Sequence, residues 1–333
     1  MKQPFLFAAA ALAAVLLILP GCSKDETTAP VTDPEDQLYG SAQTDQQFFQ
    51  LFAQNDEFFA TDDITMDDGE QPLPMGDDIL PRALTPIHPF RWARFIRTFS
   101  RNVSLDSVTV DSLAYLRITK TWEGTLFIAA SYSDTATTPD TVIRKPFSTT
   151  SQKRFIFKRI GAGAVIWRNW RRIAVSLVAG GTTGGTDIAL NALTLVVDRN
   201  GSRDSVTVTD PLATFRRFRI LNQPQPNPVL EIDGGREVTV RVTLTSADPD
   251  TDIVLLRYGY TPDRLHRHRV RMFLREQTLN GSTWTRVYER AFLMHFRRGV
   301  FTATVDAHTH STLFDDQAAV ACSFWGMPYR VLQ

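Results

Sequence analysis

From residue 237 the chain reads Glu-Val-Thr-Val-Arg-Val-Thr-Leu-Thr, with polar and apolar side chains exchanging at every step to Thr245. A period of two puts the apolar groups on one face of an extended strand, which no helical spacing can do. The same grammar runs through most of the chain beyond Asn102. Residues 107–110, 114–119, 124–130, 154–160, 165–170, 173–179 and 188–197 read as strands, as do 253–258, 265–274, 283–292, 300–307 and 318–325. These runs are rich in Val, Ile, Phe and Trp and are bounded by turn residues. The fold class this dictates is mainly β, with antiparallel pairing through short connections.

The strands fall into two groups. Asn222 to Pro228, Asn-Gln-Pro-Gln-Pro-Asn-Pro, stiffens the chain and refuses ladder hydrogen bonds, so it reads as a linker. Residues 45–221 are then expected to form an antiparallel sheet domain with one or two packed helices, either α+β or a sandwich. Residues 229–333 form a second sandwich. In length and strand cadence this second part resembles bacterial Ig-like modules, a likeness of architecture that carries no functional residue. Gly161-Ala162-Gly163 reads as a hairpin turn, and 180–186, Gly-Gly-Thr-Thr-Gly-Gly-Thr, as a flexible connection. One stretch recurs: residues 101–110 and 199–208 share eight of ten positions, two strands written with one grammar or the trace of a local duplication.

The N-terminus has another character. Lys2 precedes an uncharged apolar run from Phe5 to Leu19, and Leu-Pro-Gly-Cys22 follows at once. A basic start, an apolar core and small residues at a cut site make a secretory signal, and the run is short for a bilayer span. With Leu19 three before the cysteine and Gly21 just before it, the segment resembles the lipobox of bacterial lipoproteins. Pro20 departs from the commoner residue at its position. The resemblance implies cleavage after residue 21, lipid on the Cys22 sulfur and acylation of its new amino group. Several acyl chains, at about 0.8 kcal/mol per buried CH2, anchor a protein durably. Ser23 in place of Asp implies the outer membrane rather than the inner. Only Cys322 remains beyond Cys22, so no internal disulfide can form and the body must be held by core burial.

Residues 22–44 are polar and proline-bearing and read as a tether. Phe48, Leu51, Phe52 and Phe59 recur at helical spacing after Thr44 and Asp45, which can cap, so 45–60 reads as a short helix docking on the body. Residues 61–78 carry the pairs Asp62–Asp63, Asp67–Asp68 and Asp77–Asp78; oxygen ligands suit calcium, yet the spacing lacks the EF-hand pattern and fits a solvated acidic loop. Charge is divided unevenly: residues 23–80 hold 15 acids against Lys24, and 81–333 hold 34 Lys plus Arg against 21 acids. Residues 90–101 set Arg91, Arg94, Arg97 and Arg101 on one side of a helical wheel and Trp92, Phe95, Ile96 and Phe99 on the other. That predicts an amphipathic helix, lying on anionic lipid or wedged between a sheet and the acidic segment.

No serine elbow, His-Glu-x-x-His helix, P-loop or paired-cysteine zinc pattern is present in the sequence. Asp306-x-His308-x-His310, with Asp315 or Asp316 returning across a hairpin, is the best metal candidate, but same-side residues of a strand lie about 6–7 Å apart, so convergence on one ion needs a bulge, and the pattern reads first as polar residues on a solvated sheet face. His266 and His268 are a weaker pair. Trp167 and Trp170, flanked by Arg168, Arg171 and Arg172, suit stacking on bases or sugars and equally suit packing on a sheet. The expectation is therefore a lipid-anchored, non-catalytic structural or ligand-binding module at the outer membrane, with no cofactor and no nucleic acid. Its partners are the membrane, through Cys22, and a further envelope protein. The alternatives are an envelope enzyme, metal-assisted or acting on glycans, and an accessory subunit of a larger complex.

Overall fold

A computed structural model describes residues 34–55, 87–108, 112–199, 202–217, 230–259 and 268–332. Cys22, the acidic stretch 61–78, the proline-rich linker and His266 lie outside these residues. The described chain is mainly β. Two helices come first, α1 (Pro34–Tyr39) and α2 (Asp45–Asn55). Three long strands follow: β1 (His88–Val108), β2 (Leu113–Ser131) and β3 (Thr141–Arg159). Then come β4 (Trp170–Ser176), β5 (Val178–Thr182), β6 (Ile188–Arg199), β7 (Ser202–Val208) and β8 (Phe215–Arg217). Past the linker lie β9 (Leu230–Ile232), β10 (Glu237–Ser246), β11 (Ile253–Tyr258), β12 (His268–Arg271), β13 (Phe273–Asn280), β14 (Thr283–Leu293) and β15 (Gly299–His308). A one-turn helix, α3 (His310–Phe314), and β16 (Cys322–Val331) end the order.

The strands make two sheets. The smaller runs β13-β14-β10-β6-β7; the larger runs β1-β2-β3-β5-β16-β15-β11-β12, with β4 and β8 extending from β3 and β9 beside β16. Each sheet therefore mixes strands from both sides of residues 222–228. The strictly alternating β10 pairs with β6 on one side and β14 on the other, and β16, at the end of the chain, pairs with β5. The expected division into domains at the linker is thus not followed by the hydrogen bonding: the sandwich needs β6 and β7, which precede the linker, to complete its smaller sheet. Val238, Val240, Val242 and Leu244 of β10 meet Val305, Trp325, Met327 and Tyr329 of the larger sheet in one apolar core.

The larger sheet also curls. Its two ends approach, with the Arg269 guanidinium of β12 4.5 Å from the Trp92 ring of β1. The even-numbered residues of β2 and odd-numbered residues of β3 face the enclosed side. At one end Ala114, Leu116, Ile118, Phe155 and Phe157 are covered by Phe48, Phe49 and Phe52 of α2, as expected of a docking helix. Thr44 accepts the Gln47 N–H and so caps α2. At the other end Trp92, Trp122, Leu126, Ile128, Phe147 and Phe324 pack with Leu313 and Phe314 of α3. Between these two apolar clusters lies a buried polar belt that includes Lys120, Ser151, Lys153, Arg257, Thr304 and Asp306.

Four further expectations need correction. Residues 90–101 are not a helix but lie within β1, whose register slips between Pro89 and Arg91 and again between Ile96 and Thr98; each slip shifts the alternation by one residue. Residues 114–119 and 124–130 are one strand, β2. Residues 166–169 form a 3-10 turn before β4. Gly180 and Gly181, expected in a flexible connection, lie in β5 between β3 and β16. A Cβ at Gly180 would stand 2.2 Å from Phe324 Cζ and 2.4 Å from the Thr150 carbonyl oxygen, so glycine lets the neighbours close in.

Candidate ligand-binding cleft

Alternation along β15 sends Thr304, Asp306 and His308 to the enclosed face of the large sheet, while Ala303, Val305 and Ala307 enter the sandwich core. Asp306 and His308 do not meet a vacant space there, because Arg94 of β1 lies between them. One Arg94 Nη2 donates to Asp306 Oδ2 at 2.8 Å and stands 2.9 Å from His308 Nε2. Arg257 reaches the same Asp306 oxygen at 3.5 Å, and the Trp92 ring packs edge-on to His308. Burial alone would raise the Asp306 carboxyl, but His308, Arg94 and Arg257 outweigh it and hold the group below the usual carboxylate range. His308 is pushed down by burial, against the pull of Asp306. The arrangement ties β1 to β15 and β11; a guanidinium occupies the place a metal would take.

His310 goes elsewhere. Thr309 is the last extended residue before α3, so the chain turns and His310 leaves the row of Asp306 and His308. Among the described residues no group of three or more His, Cys, Asp and Glu side chains is disposed to hold a metal ion. The weaker histidine, His268, sits on β12 stacked against Tyr258. Trp167 and Trp170 donate their indole N–H groups to Asp36 and Asp45, so both rings fasten α1 and α2 to the body.

His310 lines a cleft of about 430 Å3 at the end of the molecule. Its walls are the turn joining β10 to β11, α3, the segment before β16 and Asp187 ahead of β6. Asp187, Asp248, Asp250 and Asp315 line it together with His310. The turn is built to stay in place. Asp248 accepts the Asp250 N–H through Oδ1 and the Ser311 N–H through Oδ2. Below it the fully buried Arg286 donates to Asp252 at 2.7 Å and to the carbonyls of Asp248 and Pro249. Burial pushes the Asp252 carboxyl up to about 6, against Arg286 and Ser246, which favour its charge. Across the cleft, Lys145 donates to the carbonyls of Ser311, Thr312 and Asp315, so a buried ammonium closes the C-terminal end of α3. Burial draws that amine down to about 8.

His310 itself stacks on Phe314 at 4.0 Å with a 9° angle between rings. Its Nδ1 is 3.9 Å from Asp250 Oδ2, beyond hydrogen-bonding reach, although the side chain is only 8% exposed. Burial lowers its pKa against the pull of Asp250 and Asp248. Concave shape and fixed carboxylates are ingredients of a binding site. In the sequence only His310 and Asp315 pointed here. Asp187, Asp248, Asp250 and Asp315 are scattered over more than a hundred residues and carry no motif. No protein-family model matches this chain, and no curated protein matches it. Among the described residues the geometry defines a two-sheet β protein with an acidic cleft beside α3.

Proposed function

We propose that the protein is a lipid-anchored module of the bacterial cell envelope, held at the outer membrane through Cys22, whose non-catalytic task is to present the acidic cleft to a ligand. The observation that carries the ligand-binding role is the cleft's construction: Asp248 and Asp315 are fixed by backbone N–H groups before any ligand arrives, which lowers the ordering cost of binding. The anchoring role is supported by the basic, apolar and Gly-Cys arrangement of residues 1–22 and by a body that needs no disulfide, its single described cysteine, Cys322, being a buried thiol.

A second reading, an accessory subunit of a larger envelope complex, draws support from a different feature. Phe95, Ile96 and Phe99 are exposed on β1, which among the described residues pairs only with β2. Membrane fractionation of cells making the Cys22→Ala variant tests the anchor: the variant should leave the membrane fraction, and retention there would contradict the proposal.

A further inference from the structure

We propose that the end of the large sheet that carries α1 is a docking face for an anionic phospholipid bilayer, so that the acidic cleft points away from the membrane. The inference rests on the proposed attachment through Cys22.

Strand pairing gathers several segments at one end. Gln152 of β3 faces Ala179 of β5, Val178 faces Gly326 of β16, and Val331 faces Gly299 of β15. The Arg159 end of β3 and the Gly299 end of β15 therefore lie on the same side of the sheet. The turn at 160–169 and the tip at 294–298 project there. So does the turn at 233–236, which follows β9 beside Val331 and bonds to Met294. α1 joins them, because Asp36 accepts hydrogen bonds from Trp167 Nε1 and from Arg168. Pro34, where α1 begins, is twelve residues after Cys22, a reach of at most about 40 Å.

Charge divides along the strands. Lys158, Arg159, Arg171, Arg236, Arg297 and Arg298 are exposed at the α1 end. Asp36 and Glu231 are paired there with Arg168 and Arg330, and Asp45, Asp233 and Glu237 do not balance the six cations. At the opposite end the connecting segments 132–140, 183–187, 247–252 and 309–321 hold eight aspartates and no lysine or arginine. A negative surface attracts the first end and repels the second.

Apolar side chains then select the partner. Among these cations Phe296 is 81% exposed, Leu293 67% and Ile160 59%. A ring or methyl group standing out beside arginine fits the boundary between headgroups and acyl chains, where the apolar group leaves water and the guanidinium meets phosphate. A nucleic-acid backbone would engage the cations alone.

The test reconstitutes the intact protein, purified from bacterial membranes, into vesicles of phosphatidylcholine alone or with about 30% phosphatidylglycerol. Flotation reads the anchor, and amide hydrogen exchange reads the docking. The protein should float with both vesicles. Phosphatidylglycerol should slow exchange across 158–165 and 294–298 by about tenfold or more and leave 132–140 and 309–321 unchanged. Sodium chloride at about 0.5 M should reverse the slowing. Phe296→Ser combined with Arg297→Gln and Arg298→Gln should remove it at 158–165 with an unchanged melting curve, while Phe95→Ser with Arg97→Gln on β1 should not. If the triple variant does not fold, the lipid and salt comparisons on the unaltered protein decide. Flotation without slowing, slowing at the acidic end, slowing that survives the triple substitution or is lost in the β1 variant, or equal slowing by a DNA duplex overturns the docking face while the anchor stands. A protein that floats only with phosphatidylglycerol upholds the face and removes the anchor; one that floats with neither removes both.

Discussion

Asp306→Asn keeps the shape of the side chain and removes its charge, so its cost isolates electrostatics from packing. In the folded protein Asp306 is fully buried, its Oδ2 2.8 Å from Arg94 and 3.5 Å from Arg257, whose side chains are 1% and 4% exposed. Breaking a buried pair by removing one partner costs about 3–5 kcal/mol, because the remaining charge stays out of water. With two guanidiniums facing one carboxylate, about 4 kcal/mol is expected. Arg94→Met should cost less. It removes one charge-assisted hydrogen bond, worth about 1.5–3 kcal/mol, but leaves Asp306 with Arg257 and with His308 at 3.2 Å. Urea unfolding followed by tryptophan fluorescence reads both, since Trp92 packs on His308. The midpoint should fall in the order wild type, Arg94→Met, Asp306→Asn, with the slope unchanged. A loss below about 1 kcal/mol for Asp306→Asn, or the reverse order, would refute the claim that this carboxylate neutralises the belt that closes the large sheet.

Further outcomes follow from the same structure. The Asp252 carboxyl, raised to about 6 from 3.8, contributes stability that is present below pH 3.8 and is lost as the pH rises through about 6. Roughly two pK units correspond to about 3 kcal/mol, and Asp252→Asn should flatten that stretch of the stability–pH curve. Gly180→Ala forces a Cβ against the Thr150 carbonyl and Phe324; a loss of about 1–3 kcal/mol in urea unfolding is expected, and a neutral result would show that β5 can move aside. Phe49→Ala opens the packing of α2 on Phe157 and Trp170 and should cost about 3–5 kcal/mol, with increased proteolysis near residues 45–55 as the independent readout.

The strand content of this chain was legible because alternation is a local property. β10 and β11 lie within a residue of where the period places them, and the docking face of α2 follows from Phe48 and Phe52 one turn apart. The failures share a cause: they depend on residues far away in sequence. Trp92, Phe95, Ile96 and Phe99 recur at helical spacing, yet in the extended β1 Trp92 is buried while Phe95, Ile96 and Phe99 are exposed, so the spacing alone did not mark one face. The proline-rich linker looked like a domain boundary because composition says nothing about pairing, and β10 takes β6 as its neighbour from the other side. The recurring stretch illustrates both limits. One copy ends β1, the other makes β7, and both strands are sheet edges, so one local grammar serves two edge positions without duplicating a module. Asp306 and His308 read as polar residues of a solvated sheet face or weak metal candidates, because Arg94, more than 200 residues earlier, is invisible to a strand-based argument. The cleft was harder still. Its four aspartates line one space only through the turn after β10, the residues around α3 and the residue ahead of β6, and of these lining residues the sequence singled out His310 and Asp315.

The proposed membrane attachment through Cys22 would decide where the cleft is displayed and therefore what it can meet. The most direct measurement is the intact mass of the N-terminal peptide of protein purified from bacterial membranes. A peptide beginning at Cys22 and heavier by a diacylglyceryl group and an amide-linked acyl chain is the predicted result. A peptide that retains residues 1–21, or one that begins at an unmodified Cys22, would contradict the account.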